Sequence, residues 1–413
     1  MPRLSAMNSK SEKSPYRWFI LAGVWLLYCG FGFTATGLAP LVLPITQDLN
    51  MSHGEMGMVL GSWQLIFILS ALPCGILLER IGPRWSLLLA AIFISASGIA
   101  RGYAVDFWSL LLAVCLFGFG APLLSVGAPK TISMWFSDTE RGFAMGIYIT
   151  SPSIGGIVAL TFTNPVLLPL FEGDWRLVLL IWAGATLAAG LIWFIIASHP
   201  AQRALEAQLS ATPSLPQGEI IKRLLRDPVV LLILAMSVGI FLYNHGINNW
   251  LPELLRTRGM TATEAGYLAA IPTVAGIFSA LIIPRLAIPT RRSLFLILLA
   301  TSALLAMLLL LTDNDPLLYT GLMLQGLARG SLMTISVLIL IESKSVGSQY
   351  AGTASGLFFS AAEIGGVSGP VVLGLLYDVT GTLNSGLWFL AGIALVILSI
   401  ALALRRWQEV QSR

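Results

Sequence analysis

The chain has 413 residues, of which 56% are hydrophobic and only 11% charged, with a mean hydropathy of +0.83. A water-soluble fold of that composition would leave a large apolar surface in water, so lipid is the solvent the sequence implies. The net charge of +4 comes from Lys and Arg gathered in short loops, which argues for membrane orientation and against a nucleic-acid surface.

A spanning helix needs roughly 20 predominantly apolar residues. Twelve such runs follow one another: residues 18–43, 55–79, 86–104, 108–134, 142–166, 176–197, 228–252, 262–284, 293–311, 317–341, 352–376 and 385–404. Runs such as Leu87–Ile94 and Ala303–Leu311 are apolar all round, whereas the strands of a membrane barrel would alternate in polarity. The expected fold is an all-α polytopic membrane protein, with twelve transmembrane helices in two pseudo-symmetric six-helix bundles. The bundles are residues 1–198 and 228–413. Between them, residues 199–227 carry Pro200, Pro213, Pro216 and several charges and read as a cytoplasmic linker.

The first span follows Arg3, Lys10, Lys13 and Arg17, as a signal peptide would, but it is too long for an h-region and lacks a cleavage site, so it is read as a retained helix. With the N-terminus inside, eighteen basic residues are cytoplasmic: those four, Arg80, Arg84, Arg141, Arg203, Lys222, Arg223, Arg226, Arg285, Arg291, Arg292, Lys344, Arg405, Arg406 and Arg413. Only Arg101, Arg176, Arg256 and Arg258 fall outside. The expectation is a cytoplasmic (inner) membrane protein with both termini cytoplasmic. Cys29, Cys74 and Cys115 sit in apolar spans at no metal-ligand spacing, so no disulfide, metal or cofactor is expected.

The two halves echo each other. Ala144-Met-Gly-Ile-Tyr-Ile-Thr-Ser-Pro-Ser-Ile-Gly-Gly156 aligns with Ala354-Ser-Gly-Leu-Phe-Phe-Ser-Ala-Ala-Glu-Ile-Gly-Gly366, five of thirteen positions being identical. Leu116-Phe-Gly matches Leu324-Gln-Gly, and Leu38-Ala-Pro-Leu41 echoes Leu251-Pro-Glu-Leu254, at nearly the same offset. Repeated halves around a central site are the architecture of alternating access.

After the second span comes Gly75-Ile-Leu-Leu-Glu79-Arg80-Ile-Gly82-Pro-Arg84. This resembles the G-x-x-x-[DE]-[RK]-x-G-x-[RK] signature of the major facilitator superfamily. The glycines permit a tight turn and the arginines stay at the interface. The resemblance implies that Glu79 meets the positive N-terminus of helix 11 near Ala351, so that Gly75, Glu79, Arg80, Gly82 and Arg84 form a cytoplasmic gate. The matching loop Pro284–Arg292 keeps its basic residues and lacks the acid.

Trp135-Phe-Ser-Asp-Thr-Glu-Arg-Gly142, Asp174-Trp-Arg176 and Glu363-Ile-Gly-Gly-Val-Ser-Gly-Pro370, with Asp378 and Gly381, are similar to the branch of cyanate-permease-like and other small-anion porters. A competing resemblance, to proton-antiporting drug exporters, lies in Ser151-Pro152-Ser-Ile-Gly155-Gly156, whose first position departs from the Gly of that group's motif.

Charge near the bilayer centre costs roughly 2.5–3.5 kcal/mol on insertion scales and calls for a reason. Arg329 in helix 10 and Glu363 in helix 11 qualify, and their repeat counterparts are Ala121 and Ser153. Arg329 is a planar fork that suits a carboxylate or oxyanion, and is the candidate substrate anchor. By the family resemblance, helix 10 lines a central cavity with helices 1, 4 and 7. Glu363 is the candidate proton-coupling residue, a fixed ion pair with Arg329 being the alternative.

Lys130 lies about five residues from the end of its helix and either snorkels to the interface or adds a second inward cation. Helix 7 carries Asn244, His245, Asn248 and Asn249, spaced i, i+4 along one side, and helix 1 carries Tyr28, Thr34 and Thr36. Of these, Asn244, Asn248, Tyr28 and His245 are candidate substrate contacts.

No Walker motif, nucleophile–base pair or metal cluster is present, so neither ATP hydrolysis nor another enzyme activity is expected. The function expected is proton-coupled transport of a small anion, by a protein acting as a monomer. The alternative is proton-driven export of amphipathic compounds.

Overall fold

The computed structural model describes residues 15–136, 138–203, 217–343 and 346–411. Of the expected linker, residues 204–216 lie outside the described residues, and so does the side chain of Glu79. Among the described residues there is no strand, and twelve helical segments are long and apolar enough to cross a membrane. We label them α1 (Tyr16–Asp48), α2 (His53–Ala71), α3 (Arg80–Gly102), α4 (Phe107–Trp135), α5 (Phe143–Leu170), α6 (Trp175–Ala197), α7 (Pro228–Thr257), α8 (Ala262–Leu286), α9 (Pro289–Leu310), α10 (Asp315–Glu342), α11 (Thr353–Thr380) and α12 (Asn384–Trp407).

The polar punctuation between apolar runs does the capping. Asp106 accepts from the Ser109 amide and forms a reciprocal box at the start of α4, and Thr261 and Glu264 do the same for α8. Asp227 accepts from Val229 and Val230 ahead of Pro228, which needs no amide partner at a helix start. α11 ends at Gly381 with φ +70, a left-handed cap that costs glycine little. The first span is not one smooth helix: it runs Tyr16–Thr36, turns through Ala39–Leu41 and resumes as Val42–Asp48.

Two compact units emerge, Met1–Leu41 with Leu65–Pro213, and Val42–Gln64 with Ser214–Arg413. The stretch Val42–Gln64, including the first part of α2, therefore packs with the later helices.

Inside each unit the same contacts recur at the repeat offset. Ser70 of α2 donates to the Gly118 carbonyl of α4 at 2.8 Å, and Ser279 of α8 donates to the Leu327 carbonyl of α10 at 2.7 Å. Gly155 of α5 sits against the Cys29 carbonyl of α1, and Gly365 of α11 sits against the Val238 carbonyl of α7. Gly30 meets Thr186 of α6, and Gly239 meets Ile397 of α12. A side chain at Gly155 or Gly365 would collide with the backbone opposite, so glycine is what lets these helices cross at backbone distance.

Candidate functional site

The second unit holds most of the polar groups singled out above. On α10, Arg329 directs one guanidinium nitrogen, Nη1, to Asn248 Oδ1 of α7 at 3.1 Å and to Thr273 Oγ1 of α8 at 2.6 Å. Both acceptors are neutral. Glu363 is buried, and among the described residues its Oε2 has no hydrogen-bond partner and no ion pair joins it to Arg329. The fixed Arg329–Glu363 pair considered above is thus replaced by a cation on neutral acceptors and a separate carboxyl group.

Glu363 shares its surroundings with a histidine and an amide. A Cβ built on Gly366 would lie 2.6 Å from Glu363 Oε2, 3.2 Å from Gln64 Cγ and 3.5 Å from His245 Cδ2, so the three side chains converge on that glycine. Gln64 Nε2 stands 3.2 Å from His245 Nδ1. With the amide nitrogen donating, the imidazole accepts at Nδ1 and carries its proton on Nε2. Trp63 and Phe241 flank the imidazole, with ring centroids at 6.0 and 5.5 Å.

Asn244 lies one turn from Asn248 on α7, and its Oδ1 is buried without a partner among the described residues. Asn249 donates back to the His245 carbonyl at 2.8 Å, which makes it a helix-internal contact.

Three polar side chains near this cluster escaped the reading of the sequence. Thr273 and Gln64 are buried, and Gln325 is fully buried with neither amide atom hydrogen-bonded among the described residues. The signal for the two glutamines was available, since each is an amide inside an otherwise apolar run, as Glu363 is a carboxylate inside one.

Tyr28 and Lys130 belong to the first unit. Tyr28 is half-buried, stacked on Phe31 at 5.4 Å and edge-on to Tyr148 at 5.7 Å. Lys130 is half-buried. Arg101, assigned above to the outer end of its span, is buried inside its unit: 2% exposed, it donates to the Thr34 carbonyl at 2.7 Å and lies over the Phe117 ring at 5.5 Å. It ends the last turn of α3, where its long side chain reaches back among the helices.

The signature loop has the backbone its glycines imply. A helix running from His53 to Gly102 is interrupted at Gly82, with φ 76 and ψ 166, values that a residue with a Cβ rarely adopts. Arg80 is exposed, and Arg84 lies over the rings of Trp85 and Phe194 at 5.1 and 5.6 Å. Gly75 has open space around it.

A further acid takes up a helix terminus. Ser52 and Glu55 form a capping box at the start of α2, and Asp378 of α11 accepts from the two amides left over, His53 at 2.9 Å and Gly54 at 2.7 Å. The His53 imidazole lies against Tyr377 and Trp250, with centroids at 3.8 and 5.6 Å.

The family model described as Major Facilitator Superfamily matches residues 24–291, well over half of the chain. The chain belongs to the Major Facilitator Superfamily. It is a multi-pass membrane transporter of that type, and its relatives are transporters. It is 24% identical over 381 residues to the D-galactonate transporter of Escherichia coli O6:H1, covering 85% of this chain and 87% of that one. It is 23% identical over 427 residues to the hexuronate transporter of Bacillus subtilis, covering 96% and 94%, and 25% identical over 386 residues to a quinolone resistance transporter of Acinetobacter baumannii, covering 86% and 85%. Among solved structures, the nucleoside transporter NupG superposes with a TM-score of 0.75 at 14% identity, over 95% of this chain and 99% of that one, a likeness of fold alone.

Proposed function

We propose that this chain is a secondary active transporter that moves a small organic anion, of the sugar-acid kind, across the cytoplasmic membrane by alternating access, in exchange for or together with protons. Both termini face the cytoplasm, and the monomer is the working unit. The observation that carries the reading is Arg329: a guanidinium inside a span, donating to Asn248 and Thr273 and compensated by no carboxylate among the described residues. A cation in that position, met only by neutral acceptors, is well placed to take a negative partner for part of the cycle. A substrate carboxylate matches the remaining edge of the fork, Nε and Nη2, with two parallel hydrogen bonds. The similarity to a D-galactonate transporter and a hexuronate transporter supports the class.

Glu363 is the proton-coupling group in this scheme. It is buried beside Gln64 and His245 and, among the described residues, free of a permanent cationic partner, so its charge changes when the site wets or closes. The Glu79 loop serves as the cytoplasmic gate.

A second reading, export of amphipathic compounds, is favoured by the quinolone resistance relative and by the Ser151-Pro152 motif of α5. Thermal melting of the purified wild type and of Arg329→Ala against sugar acids, inorganic anions and lipophilic cations separates the two, because a ligand that binds only the folded state raises the melting point. Stabilisation by an acid that the variant loses supports the anion reading. Stabilisation by cations that survives the substitution overturns it in favour of export.

A further inference from the structure

Gln325 lies four residues before Arg329 on α10, hence just over one turn, about 6 Å, along the same face. Nη1 of Arg329 is taken up by Thr273 and Asn248, but Gln325 takes no part: its exposure is 0% and neither Nε2 nor Oε1 meets a hydrogen-bond partner among the described residues. Few buried polar side chains in native proteins lack a partner. Two orphan amide atoms on one fully buried side chain cost more than an apolar residue of the same length would.

A second orphan lies nearby. Asn248 contacts Arg329, and Asn244 is one turn away on α7, its Oδ1 also buried without a partner among the described residues. Because α7 and α10 are spans of opposite direction, the positions of Asn244 and Gln325 lie one turn to either side of the Asn248–Arg329 contact.

An amide offers a donor and an acceptor together, and so does a hydroxyl group. A carboxylate, which only accepts, needs the fork and would leave Oε1 of the glutamine unmatched. We propose that Gln325 is a specificity-determining residue that reads a hydroxyl group of the substrate, so that the solute is a hydroxy acid held by its carboxylate at Arg329 and by a chain hydroxyl one helical turn away. This rests on the anion reading above and adds to it the group that separates a sugar acid from a plain carboxylate. A site built to hydrogen-bond a hydroxyl rejects the analogue lacking it by far more than an apolar pocket does, because the protein's own polar atoms are then left unpaired.

The test is the ratio of two affinities. Binding of six-carbon aldonates and aldarates, and of hexanoate and adipate as their counterparts without hydroxyls, is measured by titration on purified wild type, Arg329→Ala and Gln325→Met. Wild type is expected to favour at least one hydroxylated acid by about tenfold or more. Gln325→Met is expected to bring that ratio within about threefold, mainly by weakening the hydroxylated acid, with the plain acid changed less than about twofold.

An undiminished ratio in Gln325→Met overturns the proposal, and so does equal weakening of both acids, the mark of a packing role. If Gln325→Met is not recovered as monodisperse protein, Gln325→Asn carries the comparison: withdrawing the amide by one methylene lowers the ratio, and an unchanged ratio overturns the proposal. Acid binding that survives in Arg329→Ala is the separate failure, that of the anion reading itself.

Discussion

Replacing Arg329 by lysine keeps the charge and removes the fork, and replacing it by alanine removes both. In the structure Nη1 is spent on Asn248 and Thr273, at 3.1 and 2.6 Å, so the guanidinium plane is held with Nε and Nη2 directed away from those anchors. A hydrogen bond to a charged group contributes about 1.5–3 kcal/mol. Lysine gives up one of the two bonds to a carboxylate, together with the anchoring, so Kd for the acid rises about 10- to 150-fold. Alanine deletes one partner of a buried charge pair, which costs about 2–5 kcal/mol, or about 30- to 5000-fold in Kd.

Asn248→Ala loosens the anchor and is expected to weaken binding less than either. In the Arg329→Lys background it is expected to add little, since the amide acts through the guanidinium, and a double-mutant cycle measures that coupling. The assay is titration calorimetry on detergent-purified protein at fixed ionic strength. Equal affinity of wild type and Arg329→Lys would mean that the fork is unused and only a point charge matters. Full additivity of Asn248→Ala with Arg329→Lys would refute the positioning argument.

Glu363→Gln is expected to abolish proton-driven accumulation in proteoliposomes under an imposed pH gradient while sparing exchange of substrate for substrate, and normal accumulation would remove the coupling role. Asp378→Asn leaves one of the first-turn amides of α2 without its acceptor and takes a negative charge from the helix start; for this partly exposed group the stability loss is expected to be about 1 kcal/mol, read as a lower melting point. Gly365→Ala forces apart the α7–α11 crossing, since its Cβ meets the Val238 carbonyl, and is expected to cost about 1–3 kcal/mol. Gly75→Ala, at a position with open space, is the matched control and is expected to leave the melting point unchanged.

The twelve spans were legible because each hydrophobic run is long enough to cross lipid, and several open on a capping residue, as at Asp106 and Thr261. The repeat was legible at Gly155–Gly156 and Gly365–Gly366, and the contacts of Gly155 and Gly365 match between units, because a helix crossing at backbone distance tolerates little else. Arg329, Asn248, His245 and Glu363 stood out as polar residues in apolar runs, and all belong to one unit.

What the sequence hid was orientation. Gln325 and Gln64 have the same signature as Glu363, but an uncharged amide raises less alarm, and periodicity alone does not say which of its neighbours is lipid. Arg101 lies near the end of its run, where a basic residue ordinarily faces the interface, and only the fold shows it over Phe117. The membership of Val42–Gln64 in the second unit depends on partners far along the chain, from His245, 181 residues after Gln64, to Asp378, 325 residues after His53.

That separation has a kinetic meaning. The His53 and Gly54 amides and the Asp378 carboxylate are 325 and 324 residues apart in the chain. At about 5–20 residues per second of synthesis, the first turn of α2 exists for roughly 16–65 s before the residue that completes its cap has been made. The Ser52–Glu55 box, entirely local, covers the helix end during that interval, and the contact with α11 is among the last that a newly made chain can form.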